Sequence, residues 1–358
     1  MKIRTVHEQD GQTLIQVALF MVVLLAFLAL AIDVGHIYAE RRRMQNAADA
    51  GALAGAWEIC FGDPSQAEAT ARDYTIARNG AQAADVDVQT WTVTVVASET
   101  TDTFFAGIIG IPTADVGAVA EAACGAARSA GGLWPIALEW GRWNKLWEAG
   151  CNTPFFLWNG DNPHQQPDCS LCQCDVNDDG INDIVGIEGR TWVDFTNDEN
   201  LADQYDDNCA ASGGCGTSEL VCWIVNDSKV VIHIDDCIAG DNGVRAGTKD
   251  DIDSRIGDQV SIPLFDSTGC PSDGYCPGGQ TYSIATFGCV TVGDKGVGWI
   301  QQFELPFKFP DPEDPTKTCW KGKVIQVSIS CGGCDSFSGS ALPGEPPPWA
   351  VKAVSLIR

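Results

Sequence analysis

Residues 175–183 read Asp-Val-Asn-Asp-Asp-Gly-Ile-Asn-Asp and carry the clearest chemical signal in the chain. Asp175, Asn177, Asp179 and Asp183 stand at positions 1, 3, 5 and 9 of a loop, with Gly180 at position 6. Calcium takes roughly six to eight oxygen ligands, and this spacing gathers alternate side chains and the Ile181 carbonyl about one centre, with glycine allowing the sharp turn. Position 12 is Gly186 rather than the bidentate Glu of a full EF-hand, and Glu188 follows two residues later. The pattern therefore reads as a shortened calcium loop leading into a strand, the competing reading being an acidic turn that holds nothing specific. Calcium is the cofactor this sequence points to.

Other chemistry is poorly supported. There is no Gly-x-Ser-x-Gly elbow, phosphate loop, His-Glu-x-x-His or dinucleotide fingerprint. Only four histidines are present, and His233, inside Val-Val-Ile-His-Ile, reads as a partly buried strand residue. The sixteen cysteines are the stronger constraint. Cys169-x-x-Cys172-x-Cys174 and Cys331-x-x-Cys334 resemble zinc knuckles taken singly, but they lie far apart and no His-x-x-x-His accompanies them. An even number of dispersed cysteines reads more simply as disulfides formed outside the cytoplasm.

Net charge is −26, from 48 acidic and 22 basic residues. Such a surface repels a phosphate backbone, which argues against nucleic-acid partners.

These features need an element to hold them, and the amino terminus supplies one. From Leu14 to Ile32 the chain is apolar with a single polar interruption, Gln16. As a helix this run spans about 28 Å, enough to cross a bilayer. A removed export signal is the alternative. Arg41, Arg42 and Arg43 after the run argue for a cytoplasmic carboxyl side, whereas the cysteines argue for the opposite compartment. Between Asp33 and Trp57 there is no proline, so the helix is expected to continue to Trp57. Ala47, Gly51 and Gly55, four residues apart, form a smooth stripe against which the protein's own domain or the same helix of another subunit can pack.

The segment "GQTLIQVALFMVVLLAFLALAIDVGHIYAERRRMQNAADAGALAGA" resembles the amino-terminal segment of TadE/TadG-like proteins of the Flp (Tad) pilus system, through its apolar run, Asp-Val-Gly, basic cluster and Gln-Asn-Ala-Ala-Asp-Ala. "GIEGRTWVDF", "SELVCWI" and "IGDQVSIPLFDSTGC" also look like pieces of larger members. The resemblance implies a pilin-like or pilus-assembly role at the cell envelope. It further implies peptidase cleavage after Gly11, leaving Gln12 as the new amino terminus. Pilins of this kind usually carry Glu five residues into the mature chain, where this chain has Gln16, an amide that forms no ion pair. The Asp-x-Ser-x-Ser of a von Willebrand-type adhesion domain, found in some TadG-like proteins, is missing.

Downstream, residues 67–79 are predicted helical and stopped by Gly80, residues 86–96 form one strand, residues 114–124 another, and residues 125–132 a linker. Beyond it, short apolar runs such as 229–234, 259–265, 282–292 and 323–330, punctuated by Gly, Pro, Asp and Cys, predict a mainly β domain. Trp134, Trp140, Trp143 and Trp147 read as core or interface packing, and residues 344–350 as an extended connector before a last strand.

The expected fold class is α+β in three parts: a transmembrane and amphipathic helix over residues 1–57, a small α+β module over 58–130, and a disulfide-rich, mainly β head with its calcium loop over 131–358. The expected function is a structural or assembly component of a Flp/Tad-type pilus. It meets other pilin-like subunits or copies of itself through the amino-terminal helix, and its head lies outside the cytoplasm. The alternatives are a membrane-anchored adhesin and, less well supported, an anchored secreted enzyme.

Overall fold

The computed structural model describes residues 12–158, 180–185, 189–195, 209, 217–228, 230–241, 248–268, 270, 280–293, 324–334 and 341–357. It divides into two compact units, residues 1–122 with 356–358, and residues 123–355.

The first unit is organised by α1 (Gln12–Phe61), a single helix of 50 residues. Its length follows from the absence of proline and the density of Ala and Leu, both strong helix formers. At the far end Asp63 accepts from the Ser65 N–H at 2.9 Å and starts a 3₁₀ turn, Pro64–Gln66, with Pro64 in the first position. Then come α2 (Ala67–Arg72) and a π-helical turn, Asp73–Arg78, ending at Gly80 with φ +73°. The expected helix over 67–79 is thus present, with a wider last turn.

Strands β1 (Ala83–Val88), β2 (Thr92–Asp102) and β3 (Thr113–Ala127) lie in that order in one sheet. β1 and β2 are antiparallel from Ala83↔Ser98 to Val88↔Val93. Residues 86–96 are therefore two strands rather than the expected one, folded back at Gln89, whose N–H donates to the Thr92 carbonyl at 2.9 Å. The apolar alternation misleads because it runs across the turn without a Gly or Pro to mark it.

The second unit begins within β3. In chain order it adds β4 (Ser129–Ala130), β5 (Ile136–Glu139), α3 (Trp140–Glu148), β6 (Pro154–Trp158), β7 (Ile184–Val185) and β8 (Arg190–Asp194). There follow α4 (Thr217–Asn226), β9 (Ile232–His233), β10 (Cys237–Asp241) and α5 (Lys249–Ser254). The last strands are β11 (Gln259–Thr268), β12 (Gln280–Val292), β13 (Val324–Ile329), β14 (Ala341–Pro343) and β15 (Lys352–Leu356). An eight-stranded sheet in the order β10-β8-β5-β11-β12-β13-β6-β7 forms its frame. Most pairings are antiparallel, with β5–β11 and β6–β7 parallel.

Both faces of this sheet are covered, as period-2 alternation requires. Ile136 and Leu138 join one core with Trp134, Trp143, Ile262 and Val290, while Ala137 between them joins the other with Phe195, Trp223, Phe265 and Phe287. The expected tryptophan packing is real: Trp134 and Trp143 are fully buried, and Trp140 and Trp143 meet Trp349 edge-on at 5.2 and 5.8 Å. The chain is thus α+β, with a long apolar amino-terminal helix and a strand-rich, disulfide-rich carboxyl-terminal region.

Two other expectations are corrected. Residues 125–132 are not a flexible linker: Ala127, Ser129 and Ala130 are buried, and β3 pairs with β14 through Gly125↔Pro343 to Ala127↔Ala341. The small side chains there permit close approach, since a Cβ on Gly125 would lie 1.7 Å from the Leu342 carbonyl oxygen. His233 is exposed rather than partly buried, because β9 turns Ile232 inward and His233 outward.

Among the described residues, four disulfides lie within the second unit: Cys151–Cys331, Cys209–Cys222, Cys237–Cys270 and Cys289–Cys334. The Cys331-x-x-Cys334 pair is therefore no zinc knuckle, since its members bond to different partners. No described cysteine is free; Cys169, Cys172 and Cys174 lie outside the described residues. Cys151–Cys331 closes a separation of 180 residues, where loop-closure entropy is largest. Replacing both by serine should cost about 2–5 kcal/mol, read as a lowered urea midpoint. An unchanged midpoint would show that the bond is not needed to hold β6 on β13.

Candidate functional site

The residues singled out in α1 fall into two regimes. From Leu14 to Ile32 the side chains project outward, with Leu14, Phe20, Leu24, Phe27 and Leu30 among many exposed large apolar groups. This is the helix long and apolar enough to cross a membrane. Gln16 sits exposed on it; Gly11 lies outside the described residues, and Gln12 is the first residue of α1.

At Asp33 the environment changes. Its side chain is buried, and its carboxylate accepts from the N–H groups of Phe104 at 2.8 Å, Phe105 at 3.0 Å and Ala106 at 2.6 Å. One turn on, His36 Nε2 bonds Thr101 Oγ1 at 3.0 Å, and its ring meets Phe104 at 5.0 Å. Arg43 donates to Glu40 at 2.7 Å, to the Gly80 carbonyl at 3.0 Å and to Glu99. One of the three arginines after the apolar run is therefore occupied within the fold, whereas Arg41 and Arg42 remain exposed.

Ala47, Gly51 and Gly55 are buried, and their neighbours belong to the same chain. A Cβ on Gly51 would stand 2.0 Å from Thr75 Oγ1 and 2.9 Å from the Ala71 carbonyl oxygen. At Gly55 it would meet Val93 at 2.9 Å and the Ala67 carbonyl oxygen at 3.1 Å. The stripe is thus filled by α2, the π turn and β2, so the cost of glycine in a helix is offset by close intrachain packing.

Of the residues expected to form a calcium loop, Asp175, Asn177 and Asp179 lie outside the described residues. Gly180 has φ +87°, a left-handed conformation that glycine favours, and Asp183 is buried just before β7. Arg142, on α3, donates to the Asn182 carbonyl and to the Ile184 carbonyl at 3.1 Å. Burial lowers its pKa below the usual arginine value, and the carboxylates of Asp183 and Glu139 oppose that shift. Arg142 therefore anchors the exit from the loop on both sides of Asp183. Among the described residues no group of three or more His, Cys, Asp and Glu could hold a metal ion.

Sequence reasoning missed the role of Asp33 and of the segment it holds, residues 103–112. The available signal was the apolar run Phe-Phe-Ala-Gly-Ile-Ile-Gly-Ile between Thr103 and Pro112, which carries no charge and no strand alternation.

Residues 11–58 match the family described as putative Flp pilus-assembly TadE/G-like, so the chain carries a TadE/G-like segment that coincides with nearly all of α1. This supports a Flp/Tad pilus-associated role. No curated protein and no solved structure matches the chain.

Gly51→Leu should destabilise the first unit by more than the roughly 1–3 kcal/mol of ordinary overpacking, because a backbone carbonyl stands in the way; a normal melting profile would refute the close approach. Asp33 gives a pH test. Burial opposes ionisation, but the three N–H donors, helped by His36, win and hold its carboxyl below the ordinary 3.8. A depressed carboxylate pKa contributes stability above the unfolded value and loses it as pH falls through the folded one. Amide exchange at Phe104–Ala106, corrected for its intrinsic pH dependence, should therefore stay slow above 3.8 and quicken only below it. Asp33→Ala should remove this protection at neutral pH, and unchanged exchange in that variant would assign it to another group.

Proposed function

We propose that the chain is a pilin-like structural or assembly component of a Flp/Tad-type surface pilus. In this reading it is anchored by α1 and carries its disulfide-bonded second unit outside the cytoplasm. The observation that carries the proposal is the coincidence of the TadE/G-like match with a helix whose first half is apolar and exposed and whose second half is built into the fold. The disulfides support the orientation, since such bonds persist in oxidising compartments. The opposing signal from Arg41, Arg42 and Arg43 is weakened by the pairing of Arg43 with Glu40 and Glu99.

Calcium belongs to the same proposal. Asp175, Asn177, Asp179 and Asp183, with the Ile181 carbonyl, would hold it, and it would stiffen the segment entering β7. The left-handed Gly180 and the buried Asp183 support this reading. In the full chain, calcium should raise the melting temperature, and Asp175→Ala with Asp179→Ala should abolish the rise. A rise that survives in the double variant would place calcium elsewhere.

A second reading, a membrane-anchored adhesin outside any filament, is favoured by Gln16, which lacks the charge to pair with a neighbouring amino terminus, and by a stripe already filled within its own chain. Peptide mass spectrometry of sheared surface filaments against washed cells separates the two. A chain beginning at Gln12 and enriched in the sheared fraction is the expected result. An intact Met1 terminus confined to the cells would contradict filament membership and favour the adhesin.

A further inference from the structure

The loop joining β2 to β3 presents Phe104, Phe105, Ile108, Ile109 and Ile111 to the outside, with Ile108 82% and Ile109 78% exposed. A patch of this kind on a folded surface marks an interaction site. Four successive ties to α1, three from β2 and one from the loop itself, set where it lies. Val93 packs at Gly55, Glu99 pairs with Arg43, Thr101 bonds His36, and the amides of Phe104 to Ala106 bond Asp33. Each step forward along the strand is a step back along the helix toward its apolar run. The last tie is one residue from Ile32, where that run ends, and the tip follows the tie. The apolar loop is thus continuous with the exposed apolar surface of α1.

The loop is also closed on itself. The N–H of Thr103 donates to the Pro112 carbonyl at 2.9 Å, that of Ile108 to Phe105 at 3.0 Å, that of Gly110 to Gly107 at 3.2 Å and that of Ile111 to Ala106 at 3.0 Å. Thr103 Oγ1 donates to the Ile111 carbonyl at 2.6 Å. Backbone entering hydrocarbon needs such internal partners, and an ordinary surface loop does not. No charged residue occurs between Thr103 and Pro112. On α1, past Asp33, Tyr38 is exposed, the residue type that collects at membrane interfaces, and Arg41 and Arg42 are exposed about 12–14 Å beyond Asp33 along the helix, within reach of lipid phosphates.

We propose that the β2–β3 tip is a second membrane contact: Ile108 and Ile109 enter the leaflet from which α1 emerges, with Phe104 and Phe105 at headgroup level. Asp33 then sets the depth, fixing how far the hairpin reaches and at what angle the first unit stands on the bilayer. The proposal rests on the reading that Leu14–Ile32 crosses the membrane, and its test keeps the two separable.

The full chain, reconstituted into phosphatidylcholine–phosphatidylglycerol vesicles, would carry an environment-sensitive fluorophore on Ile109→Cys, on Leu24→Cys, or on Ala77→Cys as an exposed reference, with the unsubstituted chain as blank. Ile109 packs into no core, so its replacement should leave the fold intact. The expected result is blue-shifted emission at 109, quenched by spin-labelled acyl chains as it is at 24 and unlike that at 77. Quenching at 24 with water-like emission at 109 would overturn the inference and leave the crossing helix standing. Water-like emission at both would overturn both. Blue-shifted emission at 109 without lipid quenching, with energy transfer between labelled chains, would mean that a second copy covers the tip and would also overturn the proposal.

Discussion

A single helix here has to satisfy two solvents. For its first half α1 is apolar on every side, and for its second half it is small and smooth on one side only. Neither half explains the other's composition. Lipid imposes no need for Ala47, Gly51 and Gly55, and the close approach of Thr75 and Val93 imposes no need for Leu, Val and Phe around the full circumference. The change occurs near Asp33, where a buried carboxylate takes up three backbone N–H groups that would otherwise lack partners at the end of a hairpin.

From that junction the first unit follows. β2 runs back along α1, fixed by Glu99 on Arg43 and Thr101 on His36, while α2 and the π turn fill the glycine stripe. The second unit is held by a different balance. Its sheet buries two apolar layers, and disulfides tie segments that lie far apart in sequence. A chain with many short strands and long connections has much loop entropy to overcome, and such cross-links lower it most where the closed loop is longest.

Much of this was legible from residue order alone. The absence of proline over Gln12–Phe61 gave the helix, and Gly80 its successor's stop. What failed did so for identifiable reasons. The hairpin at Gln89 has no glycine or proline, so its two strands read as one. The run at 125–132 looks like a linker because Gly and Ala serve both flexibility and close packing, and only the Leu342 carbonyl beside Gly125 separates the two. The glycine stripe gave its need for a close neighbour but not the neighbour, which β2 and α2 supply. Disulfide partners were illegible because Cys331 and Cys334, three apart, bond to residues distant from each other. The spacing over 175–183 is a pattern in the sequence, and the described part of it gives a left-handed Gly180 and a buried Asp183.

The central claim is that α1 passes unbroken from lipid into the core of the first unit. Paired spin labels on Leu24→Cys and Asn46→Cys, in the full chain in a bilayer, measure it across the Asp33 junction. A continuous helix predicts a narrow distribution near 33 Å, about 22 residues at ~1.5 Å each. A broad or markedly shorter distribution would mean a hinge at the membrane surface, and would contradict the account.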